Sequence, residues 1–369
     1  MTFAQRFEAV LTLTLIGVLG CIGLWKLPSV IPAKGGDWIL WRTELAEDLA
    51  QAMPHTSIAR ASYGYLEHDI LGQGLKGVLI GKNRTLFSNQ DLPQFRAQAL
   101  AIEAELIEFI TASTAQIRTQ GTDVVLVLLP DKRRVLSDLF PYFIPPWLAE
   151  RYNRVAQALE GQGIELVRAD QALLTLGPDG FLKNDTHWSL MGAEAVAAQV
   201  GAYVRQAYPH LTNTSLYERD DNDLEILDWQ GDLRSFIPLS PSRVERVYGL
   251  ETLARPYIFA SDDINGAPAI TLVGTSYTGF RNAEVDDPWI FVDFLKYELG
   301  ADISLCSDWG EGVEEPFSSY WQRVEQKSIL APDLLIWEVP ERYFGHRVDP
   351  AEIKSLGSLF ETADDTTCD

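Results

Sequence analysis

The chain has 369 residues, 46% of them hydrophobic, which is enough to bury a substantial core in one large or two smaller domains. Its formal net charge is −22. Such a surface repels a phosphate backbone and argues against nucleic acid as a partner, and an anionic polymer would need a locally basic groove.

In chain order, the first feature is "FEAVLTLTLIGVLGCIGLWKL", with one acid near its start and no other charge before Lys26. The stretch from Ala9 to Trp25 approaches the ~17–25 apolar residues that span a bilayer. Arg6 precedes it and a soluble body follows, which orients that body to the non-cytoplasmic side. No small-x-small cleavage site follows, so an uncleaved anchor over residues 1–31 is expected ahead of a removed signal peptide. A lipoprotein cysteine at Cys21 fits less well, because the apolar run continues past it. Residues 32–74 form a linker, "PAKGGDW", and a helical lead-in over "DWILWRTELAEDLAQAM". The main domain is expected over 75–345, and a tail over 346–369.

The main domain opens with "LKGVLIGKNRTLFSNQD", which the spacing predicts as two short strands around a turn. A helix follows after a capping pattern at Asp91–Gln94 and stops at Gly121. Beyond it, "DVVLVLLP", "IELV", "AITLVG", "DISLC" and "PDLLIWEVP" are short apolar runs separated by helical stretches. Continuous apolar strands alternating with helices predict a three-layer α/β/α domain around a mostly parallel sheet. Residues 209–266, rich in Asp, Pro and Asn, are expected to be a loop-rich insertion. Cys306 and Cys368 leave two readings open, a disulfide in an oxidising compartment or two free thiols.

Two stretches carry candidate chemistry. Ligands of open parallel sheets sit outside the carboxyl ends of the strands. "AITLVGTSYTGF" delivers Ser276 to such an end, where neighbouring N–H groups can stabilise an oxyanion; the competing reading is a helix cap by Thr275 and Ser276. A serine needs a base within hydrogen-bond reach. In "KNDTHWSLMGA", His187 stands two residues after Asp185, so Asp185 can orient the imidazole while its other nitrogen faces the serine. Taken alone, Asp-x-His also fits a metal site or a helix cap by Asp185. No further His or acid at a metal-ligand spacing accompanies it, so neither a metal nor another cofactor is expected.

Together, "KNDTHWSLMGA" and "LVGTSYTGF" resemble the alginate O-acetyltransferase family, the AlgJ/AlgX group of SGNH-hydrolase-like proteins. "GVLIGKNRTLF", "LVLLPDKRRVL", "WQGDL" and "IWEVPERYF" are similar to further segments of that family, in the same order, over about residues 75–345. The resemblance implies Ser276 as nucleophile, His187 as base and Asp185 as acid, in a chain order permuted from the usual serine-first arrangement. Tyr277 and Tyr343 are the side chains named for the oxyanion or substrate, beside the N–H of Ser276. The chain ends soon after "PERYF", where AlgX-type members carry a carbohydrate-binding domain, so its layout is closer to AlgJ. The implied function is O-acetylation of an exopolysaccharide in the periplasm, with a membrane-bound MBOAT-type protein supplying the acetyl group. An acetylesterase with the same triad and a non-catalytic assembly subunit are the alternatives.

Overall fold

The computed structural model describes residues 64–347 and 367–368, apart from residues 94, 214–215, 262–266, 280–289 and 308–311. The expected anchor and the lead-in helix lie outside the described residues, and no described helix is long and apolar enough to cross a membrane. The chain divides into two compact units. The smaller includes described residues 64–75 and 237–246, and Arg243 Nη2 meets Asp69 Oδ2 at 2.6 Å within it.

The larger unit holds a six-stranded sheet of β3 (Asp123–Leu129), β4 (Glu165–Arg168), β7 (Ile270–Gly274), β8 (Ile303–Ser307), β9 (Leu334–Pro340) and β10 (Thr367–Cys368), in the order β10-β8-β7-β9-β3-β4. Every pairing is parallel except β10 on β8. The apolar runs are continuous because both faces are covered. Val125, Val127 and Leu129 of β3 pack in one core, whereas Val124, Leu126 and Leu128 pack in the other. The first core takes α3 (Leu190–Ala207) and α4 (Phe291–Leu299); the second takes α1 (Arg96–Thr119), α2 (Arg151–Gly161) and α5 (Glu314–Glu325). In α1, Ile102, Leu106, Ile110 and Ile117 are buried at helical spacing, and the last three pack in the second core. The three-layer expectation therefore holds.

Two local readings change, and one left open is decided. Helix α1 starts at Arg96 behind Phe95, not at the capping pattern, and Asp91, itself buried, closes a 3₁₀ turn instead. The stretch 209–266 contains a long antiparallel ribbon, β5 (Tyr217–Trp229) with β6 (Glu251–Ala260). Leu227, Trp229, Leu253 and Ile258 pack its inner side on the first core, while the acids of "YERDDNDLEILDW" obscure the alternation. Cys306 is disulfide-bonded, and the register sets Cys368 directly across from it. The early hairpin is as expected, β1 (Val78–Ile80) pairing with β2 (Leu86–Ser88).

At the carboxyl ends of β3 and β9, a buried ion cluster ties the sheet to α2. Arg134 Nε and Nη2 donate to the two oxygens of Glu341 at 2.8 and 2.9 Å. Arg133 donates to Asp131 at 2.7 Å, and Arg151 also pairs with Asp131. Burial alone would raise the Glu341 carboxyl, but the hydrogen bonds and charges of Arg134, Arg133 and Arg151 outweigh it and hold it at about 2. Because the folded value lies below the unfolded one, this stabilisation is complete above the ordinary pKa of 4.5 and is lost as pH falls toward 2. Glu341→Gln should therefore cost roughly 3 kcal/mol near neutral pH. Denaturant unfolding at pH 7, 4.5 and 3 should show the gap from wild type shrinking with acidity; a gap that stays constant would contradict this account.

Candidate active site

The register brings the ends of β3, β7 and β9 to one edge of the sheet, and each contributes to what lies beyond it. After β7, the chain turns through Thr275 and Ser276, with Thr278 N donating to Thr275 O at 2.9 Å. Beneath this turn lies Glu338 of β9, which has no exposed surface. One oxygen of Glu338 accepts from Thr275 N at 2.7 Å, Thr275 Oγ1 at 2.9 Å and Thr278 Oγ1 at 3.0 Å. Burial pushes its carboxyl above the ordinary range, against those hydrogen bonds. Thr275 and Ser276 cap no helix directly: the next described helix, α4, begins only at Phe291.

The base arrives from the turn before α3. That helix is capped by Ser189, whose Oγ accepts from Gly192 N at 3.1 Å, so Asp185 is not its cap. Asp185 instead faces His187, with Oδ1 2.6 Å from Nδ1, and His187 Nε2 lies 2.8 Å from Ser276 Oγ. The three residues are 0%, 3% and 3% exposed, so the line of contacts is shielded from bulk water. The second oxygen of Asp185 accepts from Trp229 Nε1 at 2.7 Å and Asp232 N at 2.9 Å. Burial raises the Asp185 carboxyl, yet His187 and the Trp229 indole outweigh it and hold it well below the carboxylate range. An ionised Asp185 against Nδ1 leaves Nε2 to accept a proton from the serine.

The turn around Asp185 is fixed by side chains. Glu251 accepts from the amides of Lys183 and Asn184 at 2.7 and 2.8 Å, and Asp232 accepts from Thr186 N at 2.8 Å and Thr186 Oγ1 at 2.5 Å. Burial and the charge of Asp185 push Asp232 up to about 6. Tyr277 donates its hydroxyl to Thr186 O at 2.5 Å, and its ring centroid lies 4.8 Å from that of His187. The Tyr277 phenol, expected to serve the oxyanion or the substrate, is thus engaged with the backbone of the base's turn. The Arg342 guanidinium lies 5.2 Å from the ring centroids of both Tyr277 and Tyr343.

Asp185, His187 and Asp232 form the one group of three acid or imidazole ligand atoms within 4.8 Å among the described residues. Both oxygens of Asp185 already accept N–H donors, which fits a proton relay better than a metal cage. The structural roles of Trp229, Asp232, Glu251 and Glu338 escaped the reading of the sequence. An acid inside the apolar "LLIWEVP" was the available signal for Glu338.

The fold and site define a three-layer α/β domain that presents a histidine-paired serine at the strand ends. The family described as "SGNH hydrolase-like domain, acetyltransferase AlgX" matches residues 78–341. The chain is 28% identical over 364 residues to the probable alginate O-acetylase AlgJ of Pseudomonas syringae pv. tomato, covering 91% of this chain and 88% of that protein. It is 30% identical over 350 residues to the probable alginate O-acetylase AlgJ of Pseudomonas aeruginosa, covering 88% and 86%. The O-acetyltransferase domain of Pseudomonas putida AlgJ superposes with a TM-score of 0.64 at 24% identity, covering 78% of this chain and all of that one. Pseudomonas aeruginosa AlgX superposes at 0.52 and 18% identity, covering 71% and 62%; at these identities both structures speak to the fold. The chain belongs to the AlgJ/AlgX family of SGNH-hydrolase-like O-acetyltransferases, on the AlgJ side.

Gly274 tests the packing under the nucleophile. A Cβ there would sit 2.0 Å from Thr278 Oγ1 and 2.6 Å from Glu338 Oε2. Gly274→Ala should cost ~1–3 kcal/mol through overpacking. A thermal midpoint equal to that of wild type would show that the turn is looser than described.

Proposed function

We propose that this enzyme acetylates an exopolysaccharide outside the cytoplasm through an acetyl-serine at Ser276. The observation that carries the reading is the relay from Asp185 through His187 to Ser276, with contacts of 2.6 and 2.8 Å, in a member of an acetyltransferase family. Ser276 Oγ attacks the acetyl carbonyl while its proton passes to His187 Nε2. The donor's leaving oxygen then takes that proton, and the acetyl group remains on the serine. A sugar hydroxyl next gives its proton to His187 and attacks the acetyl-serine, which releases the acetylated sugar and restores the serine. Asp185 stabilises the imidazolium formed in both halves.

The relatives named as alginate O-acetylases make an alginate-like polymer the first acceptor to test. The apolar stretch from Ala9 to Trp25 supports tethering to the inner membrane, and the bonded Cys306 supports an oxidising compartment such as the periplasm. An MBOAT-type membrane protein is the proposed acetyl donor. Water attacking the same intermediate would give acetylester hydrolysis, so product analysis with and without a sugar acceptor separates the two outcomes.

Brief exposure to a chromogenic acetyl ester should add one acetyl group to the peptide containing "GTSYTGF", seen by mass spectrometry. Acetylation elsewhere, or full turnover by Ser276→Ala, would remove Ser276 as nucleophile. For Asp185→Asn, a loss of ~10⁴ in rate is expected from the wrong imidazole tautomer, the size of the same substitution in a Ser-His-Asp protease. A variant keeping more than about a tenth of the rate would take Asp185 out of the relay.

A further inference from the structure

The turn that carries Asp185 has an unusual backbone economy. Its amides at 183, 184 and 186 are answered by carboxylates rather than by a strand or helix. Its carbonyls converge on one buried cation. Lys132, 2% exposed, stands just past β3 and sends its ammonium to Leu182 O at 2.5 Å, Asp185 O at 2.9 Å and Lys183 O at 3.1 Å. The same nitrogen reaches Leu86 O on β2 at 2.7 Å. Four carbonyls around three N–H donors oversubscribe an ammonium, and a neutral amine would have only two hydrogens to offer. Losing the charge would leave a buried backbone turn with its carbonyls poorly answered.

We propose that Lys132 is a positioning residue for acyl transfer, gathering the carbonyls of Leu182, Lys183 and Asp185 so that the Asp185 carboxylate meets His187. The proposal rests on the Asp185–His187–Ser276 relay. Lys132 touches none of the reacting atoms, so it acts through the backbone of the turn. Burial lowers its ammonium to about 8, against the carboxylates of Glu251, Asp185, Asp232 and Asp91, which face it from β6, the turn before α3, the segment after β5 and the turn after β2. The clamp should therefore slacken in mild alkali.

Lys132→Met keeps most of the side-chain volume and removes the charge. In the full-length chain, kcat for a chromogenic acetyl ester should fall ~10²-fold, the scale of a ~1 Å misplacement, with KM little changed and a cooperative melt retained. The low-field proton resonance of His187 Nδ1–H, a direct reading of its bond to Asp185, should shift or vanish. A folded Lys132→Met protein with wild-type kcat and resonance would overturn the proposal. If that variant does not fold, wild type followed from pH 7 to 9.5 decides instead. The resonance should change in step with titration of the Lys132 ammonium, followed by carbon NMR of labelled lysine, while circular dichroism stays constant. A resonance indifferent to that titration would equally overturn the proposal. Should wild type lack esterase activity, the resonance still reports on Lys132, and the functional proposal alone is weakened.

Discussion

A carboxylate without exposed surface cannot stay ionised unless its lone pairs are answered, and the site depends on how this is done at Asp185. Oδ1 takes the amide and Nδ1 of His187, and Oδ2 takes the indole of Trp229 and the amide of Asp232. The acid is therefore fixed in position and charge before any substrate arrives, and the imidazole has one place to stand. A water-exposed aspartate would have been cheaper to fold but could not hold the ring so firmly. The partners of this one side chain come from 185–187 and from the end of β5 through the following turn. That places the ribbon β5–β6, which lies outside the main sheet, in the service of the base.

The nucleophile is governed by a second buried acid. Glu338 holds the turn after β7 through three donors on a single oxygen, and Gly274 lets the two strands' ends approach closely enough for that. Serine and imidazole are thus fastened mainly from different sides, one to β9 and the other to the ribbon, with the Tyr277–Thr186 bond joining the two turns, and they meet across a 2.8 Å gap. Pre-setting both sides reduces the reorganisation needed when charge develops on the imidazole.

Much of this was legible in the chain because local pattern and final environment agree. Apolar runs such as "DVVLVLL" become strands buried on both faces, and Asp185, His187 and Ser276 sit at strand ends or helix entries where parallel sheets carry their ligands. The failures have a common cause. Trp229 lies 44 residues from Asp185, Glu251 lies 67 from Asn184, and Glu338 lies 63 from Thr275. No spacing rule connects residues so far apart. The ribbon was hidden because its exposed side carries acids, which composition alone assigns to loop. Asp91 looked like a cap because a cap and a buried turn use the same short polar side chain.

The sheet order carries a further consequence. β9 lies between β7 and β3, although it comes after both in the sequence. Until residues 334–340 emerge and insert, the strand bearing the serine and the strand leading to the buried lysine have no shared neighbour, and Glu338 is absent from the serine's turn. Such late, long-range closure makes for slow folding. It also means that a growing or threading chain carries no assembled nucleophile. The serine's turn reaches its final geometry only when nearly the whole polypeptide is in place, so the relay is a property of the assembled sheet and of no single stretch of it.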